Sequence, residues 1–556
     1  MLLPRLPVIV ASLSGVHWID AFIVIAYLGV LVAIGSFFSR RQHSLDDFIR
    51  GGRQFGWITI GVSLMAALNS GIDYIQAPAL AFATGIILVM SFLSWIPLYP
   101  WVSRVTLPFY QRLDVYSAYE YLEQRFGVAV RVLAAGIFIL WRVGWMGAAI
   151  YVPCLAIKAA TGGQLEIVWM VVPLGTVVTL YTLLGGMRAV VWTDVTQFVV
   201  MFAGIAVTLG VIVSLLPGGF GELFQVAHAH GRLDPLGSTG EGVRGFFTTE
   251  VTFWGVLLIV TLSRAAAFTV DQIAIQRFQS SRSLGEARRS FLLNAATDTI
   301  WMAVLGLIGL ALFAYCQRYG IPDGLQNDRI LPHFMREHFP VGLTGLVIAA
   351  ILAASLSSVD AALNSTSSIV MVDFYNRLWL GLRRPARDLP AAEQARQLRI
   401  SRLANLALGA MMVGIGANIE RMGEIYQAGN KILGAFFGPL FGVFVLGLFS
   451  RRAHSAGVVI GVVSGLLSSC FASFFSEIGW LQDLCGRWFG PGFVDFFVHL
   501  SWQWPSPIGN VVTLTVGFLA SLALPVPAGS PVPLTFSEVM KRPVPAPIEA
   551  AGAPTA

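Results

Sequence analysis

ILAASLSSVDAALNSTSSIVMVDFY, residues 351 to 375, is an apolar run that carries seven serine and threonine hydroxyls but only two acids, Asp360 and Asp373. Inside a bilayer, polar groups without a partner cost several kcal/mol, so Ser355, Ser357, Ser358 and Ser365 to Ser368 must face protein or water. Two readings fit. Ser and Thr can bond back to the carbonyl one turn earlier while small residues pack helices closely, which makes this a buried packing helix. A hydroxyl-lined helix at membrane depth is also a path for an ion.

The rest of the chain supplies the context. Of 556 residues, 56% are hydrophobic and 12% charged, which excludes a soluble globular protein. Apolar runs of spanning length recur throughout: about Ile19 to Phe38, a broken segment from Phe55 to Phe82 interrupted by Gly71 and Pro78, then 86–111, 127–158, 165–184, 189–215, 252–278, 291–316, 341–375, 400–418, 424–449, 455–475 and 508–525. The reading is an all-α integral membrane protein of about thirteen transmembrane helices. Residues 1–525 form one membrane domain, with an uncleaved N-terminus, and 526–556 form a Pro-rich tail. The aromatic-rich stretch from Phe474 to Trp504 reads as external, with an interfacial helix in it.

The net charge of +6 comes mostly from arginine, lysine being confined to Lys158, Lys431 and Lys541. Arg40, Arg41, Arg50 and Arg53 fall in the first loop, Arg112 and Arg125 in the third, Arg188 in the fifth. Arg277 to Arg289 follow in the seventh, Arg377 to Arg402 in the ninth, Arg451 and Arg452 in the eleventh. Odd loops are therefore read as cytoplasmic, the N-terminus as outside and the C-terminus as cytoplasmic in a multi-pass cell-membrane protein. The basic balance is a topology signal, and no nucleic-acid partner is expected. The cysteines lack metal spacing, leaving open an extracytoplasmic Cys316–Cys485 pair. No GxSxG elbow, Walker sequence or metal-spaced His/Cys cluster appears, so no enzyme is expected.

Six motifs in order carry a resemblance: SLMAALNSGIDYIQAP from Ser63, SWIPLYPWVSRVTLPFYQRL from Ser94, GGMRAVVWTDVTQFVVM from Gly185, DQIAIQRFQSSRSLGEARRS from Asp271, AASLSSVDAALNSTSSIVMVDFY from Ala353 and GPLFGVFVLGLFSRRAHSAGVVIG from Gly438. Together they resemble the sodium:solute symporter family over about Leu45 to Ser450, and weakly to Ala523. The resemblance implies a five-plus-five inverted-repeat core, here about 53–215 and 252–449, with the first helix of each half discontinuous. The stretch Asn69–Pro78 and its counterpart Thr261–Gln272 both place polar residues at mid-membrane.

The resemblance also implies a sodium site made by the carbonyls of Ala66, Asn69 and Ala354 and the hydroxyls of Ser357 and Ser358. Sodium is a hard cation suited to oxygen, a helix break frees carbonyls, and Ser358 sits one turn from Ala354 on the same face. Asp194 matches an acidic position beside the sodium path, with helix N-capping as the plain alternative. A second sodium found in some members would use hydroxyls where this chain has Asp360 and Ala361, so one coupled sodium is expected, with Asp360 supplying an oxygen or pairing with an arginine.

Where sugar-transporting members contact sugar hydroxyls, this chain has Asp73 and Arg264; Arg142, Asn430 and Lys431 add polar groups at similar depth. One reading is an Asp73–Arg264 ion pair. The favoured one is that an excess of buried cations receives a substrate carboxylate. The expectation is a sodium-coupled symporter importing a small polar organic solute, carboxylate-bearing, by alternating access, with sodium, the solute and the lipid bilayer as partners. The alternatives are a proton-coupled carrier using Asp73 or Asp360, and a membrane receptor or sensor; for the latter, the span after Ala523 is too short for a kinase domain.

Overall fold

The computed structural model describes residues 17–39, 45–113, 115–160, 162–163, 166–237, 242–249, 251–320, 325–381, 390–419, 425–527, 531 and 533–543. Among them the only strand-like pairing is one isolated bridge, Phe55 to Ser281, and the architecture is helical. The elements that matter here are α1 (Trp18–Ser39), α2 (Trp57–Leu68), α3 (Gly71–Thr84), α4 (Val128–Ala160), α5 (Val168–Ser214), α6 (Phe253–Val270), α7 (Gln272–Gln279), α8 (Leu284–Tyr319), α9 (Leu343–Ile369), α10 (Ala391–Gly416), α11 (Ile425–Phe449), α12 (Ser455–Phe474) and α13 (Pro505–Ala523).

Every residue of α9 from Val347 to Ile369 is buried. A helix that is apolar or small on all sides has no face to offer water or lipid, and it settles in the middle. Its small side chains permit this. Gly71 lies against Ser355 and the Ile351 carbonyl, and Gly204 of α5 lies against Ala350, each so close that a Cβ would overlap its neighbour. At the opposite extreme α1 leaves Trp18, Phe22 and Ile25 exposed, as a peripheral helix facing hydrocarbon does.

Ten helical runs among the described residues are long and apolar enough to cross a membrane. One of them, α5, is 47 residues long, or about 70 Å at 1.5 Å per residue, more than twice a hydrocarbon core of about 30 Å. Its two arms meet at Gly186, whose φ of 50° and ψ of −158° are non-helical and open only to glycine at low cost. That turn replaces the loop expected between residues 184 and 189.

Two other breaks shape the interior. Between α2 and α3, Asn69 (ψ 131°) and Ser70 (ψ 169°) are extended. Ser70 caps α3: its hydroxyl accepts from the Ile72 N–H and its own N–H donates to Asp73 Oδ2 at 2.6 Å. The break thus falls just ahead of Gly71, and Pro78 sits inside an unbroken α3, where its carbonyl packs against Gly309. Between α6 and α7, Asp271 is extended (ψ 120°) and caps α7 by accepting from the Ile273 N–H at 2.9 Å. Each of these first core helices is discontinuous, with a side-chain cap restoring the second piece.

The stretch after α12 holds two short helices, Gly479–Phe489 and Pro491–Val498, that expose Trp480, Trp488 and Phe489. All four cysteines are free, so no disulfide joins Cys316 to Cys485. Part of the Pro-rich tail is not separate from the bundle. The Leu534 carbonyl accepts from Tyr121 at 3.1 Å, Val539 is buried, and the Phe536 ring lies against Phe109 and Phe449.

Candidate functional site

Five oxygens meet where the α2–α3 break touches the middle of α9. Ser357 Oγ donates to the Ala66 carbonyl at 2.8 Å and to Ala354 at 3.0 Å. Ser358 Oγ donates to the Asn69 carbonyl at 2.9 Å and to Ala354 at 3.2 Å. Ending α2 at Leu68 takes the Ala66 and Asn69 carbonyls out of the helical ladder, and both then accept from α9. Ala66, Ala354, Ser357 and Ser358 are fully buried and Asn69 nearly so. Three carbonyls and two hydroxyls around one point, without a charge among them, form a donor set for a hard monovalent cation. The set contains no thiolate or imidazole that would suit a softer metal.

Asp194 lies inside α5, eight residues past the Gly186 turn, so it caps no helix. Its Oδ2 accepts from Ser63 at 2.5 Å and from the Arg277 guanidinium at 2.7 Å, all three side chains being buried. Asp360 pairs with no arginine among the described residues. Its Oδ2 accepts from the Tyr181 hydroxyl at 2.9 Å and Thr193 at 3.2 Å, while Oδ1 is buried without a partner. Ser355 points its hydroxyl into the same packed interior with no partner, so the packing reading of α9 does not satisfy every hydroxyl.

A cavity of about 340 Å³ borders the α2–α3 break and is walled by Asn69, Ser70 and Asp73 on one side and Arg142, Arg264 and Asp271 on others. Aromatic rings from Trp95, Trp141, Trp145, Phe268 and Phe437 complete much of the wall. The Asp73–Arg264 ion pair, the less favoured of the two readings, does not form. Arg264 donates to Asp298 at 2.5 Å, Ser94 Oγ at 2.6 Å and the Ser91 carbonyl at 3.0 Å, and its guanidinium lies 4.2 Å from the centre of the Trp95 ring. Arg142 pairs with Asp271 and stacks 3.7 Å over Trp141. Asp73 instead closes the capping box of α3.

Of the three cations expected to outnumber the acids there, Arg142 and Arg264 each meet an aspartate. Asn430 and Lys431 fall in α11, and their side chains lie outside the described residues. Asp271 and Asp298 are the partners that sequence reasoning missed. Both were open to suspicion, since an acid within an apolar run implies a nearby partner. What the sequence lacks is any sign of which cation each would meet.

Residues 48–465 match the sodium:solute symporter family. The chain is 31% identical over 480 residues to a sodium/sialic acid symporter of Proteus mirabilis (strain HI4320), an alignment covering 84% of this chain and 92% of that protein. It is 28% identical over 477 residues to sodium-coupled monocarboxylate transporter 1 of Homo sapiens, covering 83% of this chain and 75% of that one. A solved structure of a Na+-coupled sialic acid symporter, substrate-bound and outward-open, superposes with a TM-score of 0.78 at 27% identity, over 92% of this chain and 99% of the other. With a family match running from the start of the helical core into α12 and these helices in place, the chain belongs to the sodium:solute symporter family, whose members are membrane transporters and not enzymes.

Proposed function

We propose that the protein couples sodium entry to uptake of a small carboxylate-bearing solute by alternating access. The observation that carries this reading is the shared break. The same unwound residues that turn the Ala66 and Asn69 carbonyls toward Ser357 and Ser358 also form the cavity wall at Asn69, Ser70 and Asp73. An ion held by those five oxygens orders the wall that the solute contacts, and by linkage the solute must tighten the ion equally. The carboxylate assignment is supported by relatives named for sialic acid and monocarboxylates, and by two guanidiniums in the cavity wall, one of which, Arg142, has its Nε without a partner. Guanidinium binds carboxylate through parallel N–H groups, and each arginine retains donors beyond those given to its aspartate.

Asp194 bonds Ser63 of α2, and Asp360 follows Ser358 by two residues on α9; both line the sodium's way inward. The arginine-rich loops support an N-terminus outside and a C-terminus in the cytoplasm. Uptake into proteoliposomes decides between carriers: an inward sodium gradient is expected to drive accumulation of a labelled carboxylate, and potassium is not. Accumulation that follows a proton gradient instead, or an unchanged sodium requirement in both Ser357→Ala and Ser358→Ala, overturns the assignment.

A further inference from the structure

Five ionisable side chains border the cavity: Asp73, Arg142, Arg264, Asp271 and Asp298. Arg142 is committed to Asp271 and Arg264 to Asp298, which leaves Asp73 as the carboxylate that no cation meets among the described residues. Its bonds come from the Ser70 N–H at 2.6 Å and the Ser70 hydroxyl at 3.2 Å, and both fall on Oδ2, so neither uses Oδ1. A second acceptor in the same wall, Asn294 Oδ1, has no partner at all. A half-buried carboxylate with two neutral donors is under-compensated, and it calls for a cation. A neutral polyol or a simple monocarboxylate brings none.

We infer that the solute bears an ammonium group besides its carboxylate, and that Asp73 is the residue that selects for it. The solute class is then an amino acid with its amine near the α2–α3 break and its carboxylate toward the guanidiniums. The volume of about 340 Å³ lies at the small end for ligand sites, in keeping with a solute of that size. Specificity of this kind is strong because the wrong solute leaves Asp73 unpaired in the cavity wall. This inference rests on the sodium-coupled carboxylate reading above and narrows it.

The test uses the purified full chain and matched probes: α-, β- and γ-amino acids, each beside the hydroxy acid that lacks the amine and the amine that lacks the carboxylate. Binding is read by calorimetry and by competition for uptake, in sodium and in potassium. The expected result is sodium-dependent binding of one or more amino acids, with their hydroxy-acid partners weaker by ~10- to 100-fold. Asp73→Asn is expected to erase that difference while sodium still raises the thermal midpoint, and Asp73→Glu, which keeps the charge and the capping box, is expected to preserve the preference. Wild-type protein that binds a hydroxy acid as well as its amino acid overturns the inference and leaves the carboxylate symporter standing, as does an Asp73→Asn variant that retains the preference. Failure of every amino acid while simple carboxylates bind has the same effect. A loss of sodium affinity in Asp73→Asn without any solute assigns the residue to the ion and also sinks the inference. Absence of any sodium-dependent carboxylate binding overturns the underlying reading.

Discussion

At the scale of single residues, the cluster on α9 has no spare oxygen. Ser357 and Ser358 each touch two of the three carbonyls, so removing either hydroxyl leaves carbonyls facing a void and takes one ligand from any bound ion. Hydrogen bonds and contacts to a charged group contribute about 1.5–3 kcal/mol, which for Ser357→Ala or Ser358→Ala corresponds to ~10- to 100-fold weaker sodium activation of uptake. The measurement is the sodium concentration giving half-maximal transport. The Asp194–Arg277 pair behaves differently. It is fully buried and shares Ser63, so Arg277→Met strands a carboxylate in the interior and is expected to destabilise the protein by about 3–5 kcal/mol, seen as loss of folded protein on gel filtration and a lower thermal midpoint. A variant as stable as wild type would show that the pair is dispensable to the fold.

At the scale of elements, close helix contact and an inter-element ion-pair network hold the arrangement. A Cβ at Gly71 would overlap Ser355 Oγ and come within 2.9 Å of the Ile351 carbonyl, so Gly71→Ala must push α3 away from α9 beside the five oxygens. Overpacking of that kind costs about 1–3 kcal/mol, and here it is expected to lower the thermal midpoint and the sodium affinity together. Near the end of α9, Glu123 bridges Arg131 of α4 at 2.7 Å and Arg377 at 2.6 Å, while Arg131 also holds Asp373 at 2.6 Å. Partial burial pushes the Glu123 carboxyl upward, but the Arg377 and Arg131 guanidiniums outweigh it and hold it below the usual range. A carboxylate depressed in the folded state stabilises fully above its unfolded pKa of about 4.3 and loses that contribution as pH falls through its folded value. The stability gap between wild type and Glu123→Gln should therefore persist at neutral pH and close on acidification below the ordinary carboxylate range. A gap that widened in acid would contradict the network.

At the scale of the whole molecule, sodium that binds the folded protein and not the unfolded chain must stabilise it. At 100 times its dissociation constant the gain is about 2.7 kcal/mol, so thermal unfolding in sodium should lie above that in potassium at equal ionic strength. The coupling proposed through the α2–α3 break requires that saturating solute tighten sodium by a factor above one, the same factor by which sodium tightens solute. Calorimetric titration of sodium with and without saturating solute measures that factor, and a factor of one would mean that the two sites are not coupled.

The membrane class, the interior place of α9 and the discontinuous helix starts were legible in the chain because each is local: hydropathy, a run of small and hydroxyl side chains, and a short motif around Ala66 to Asp73 write them into neighbouring residues. The ion pairs were not legible. Arg142 and Asp271 are 129 residues apart, Arg264 and Asp298 are 34 apart, and Asp360 meets Tyr181 across 179. A charge in an apolar run announces that it needs a partner, but many acids and arginines meet that need equally well on paper. The packing of α4, α6, α7 and α8 around the break chose among them, gave Asp271 and Asp298 to the arginines, and left Asp73 to the cavity. Sequence alone thus established what kind of protein this is, and its resemblance pointed to five oxygens that the fold brings together at the α2–α3 break. Only the tertiary structure decided the charge of the cavity beside them, because that charge is a difference between groups brought together by the fold.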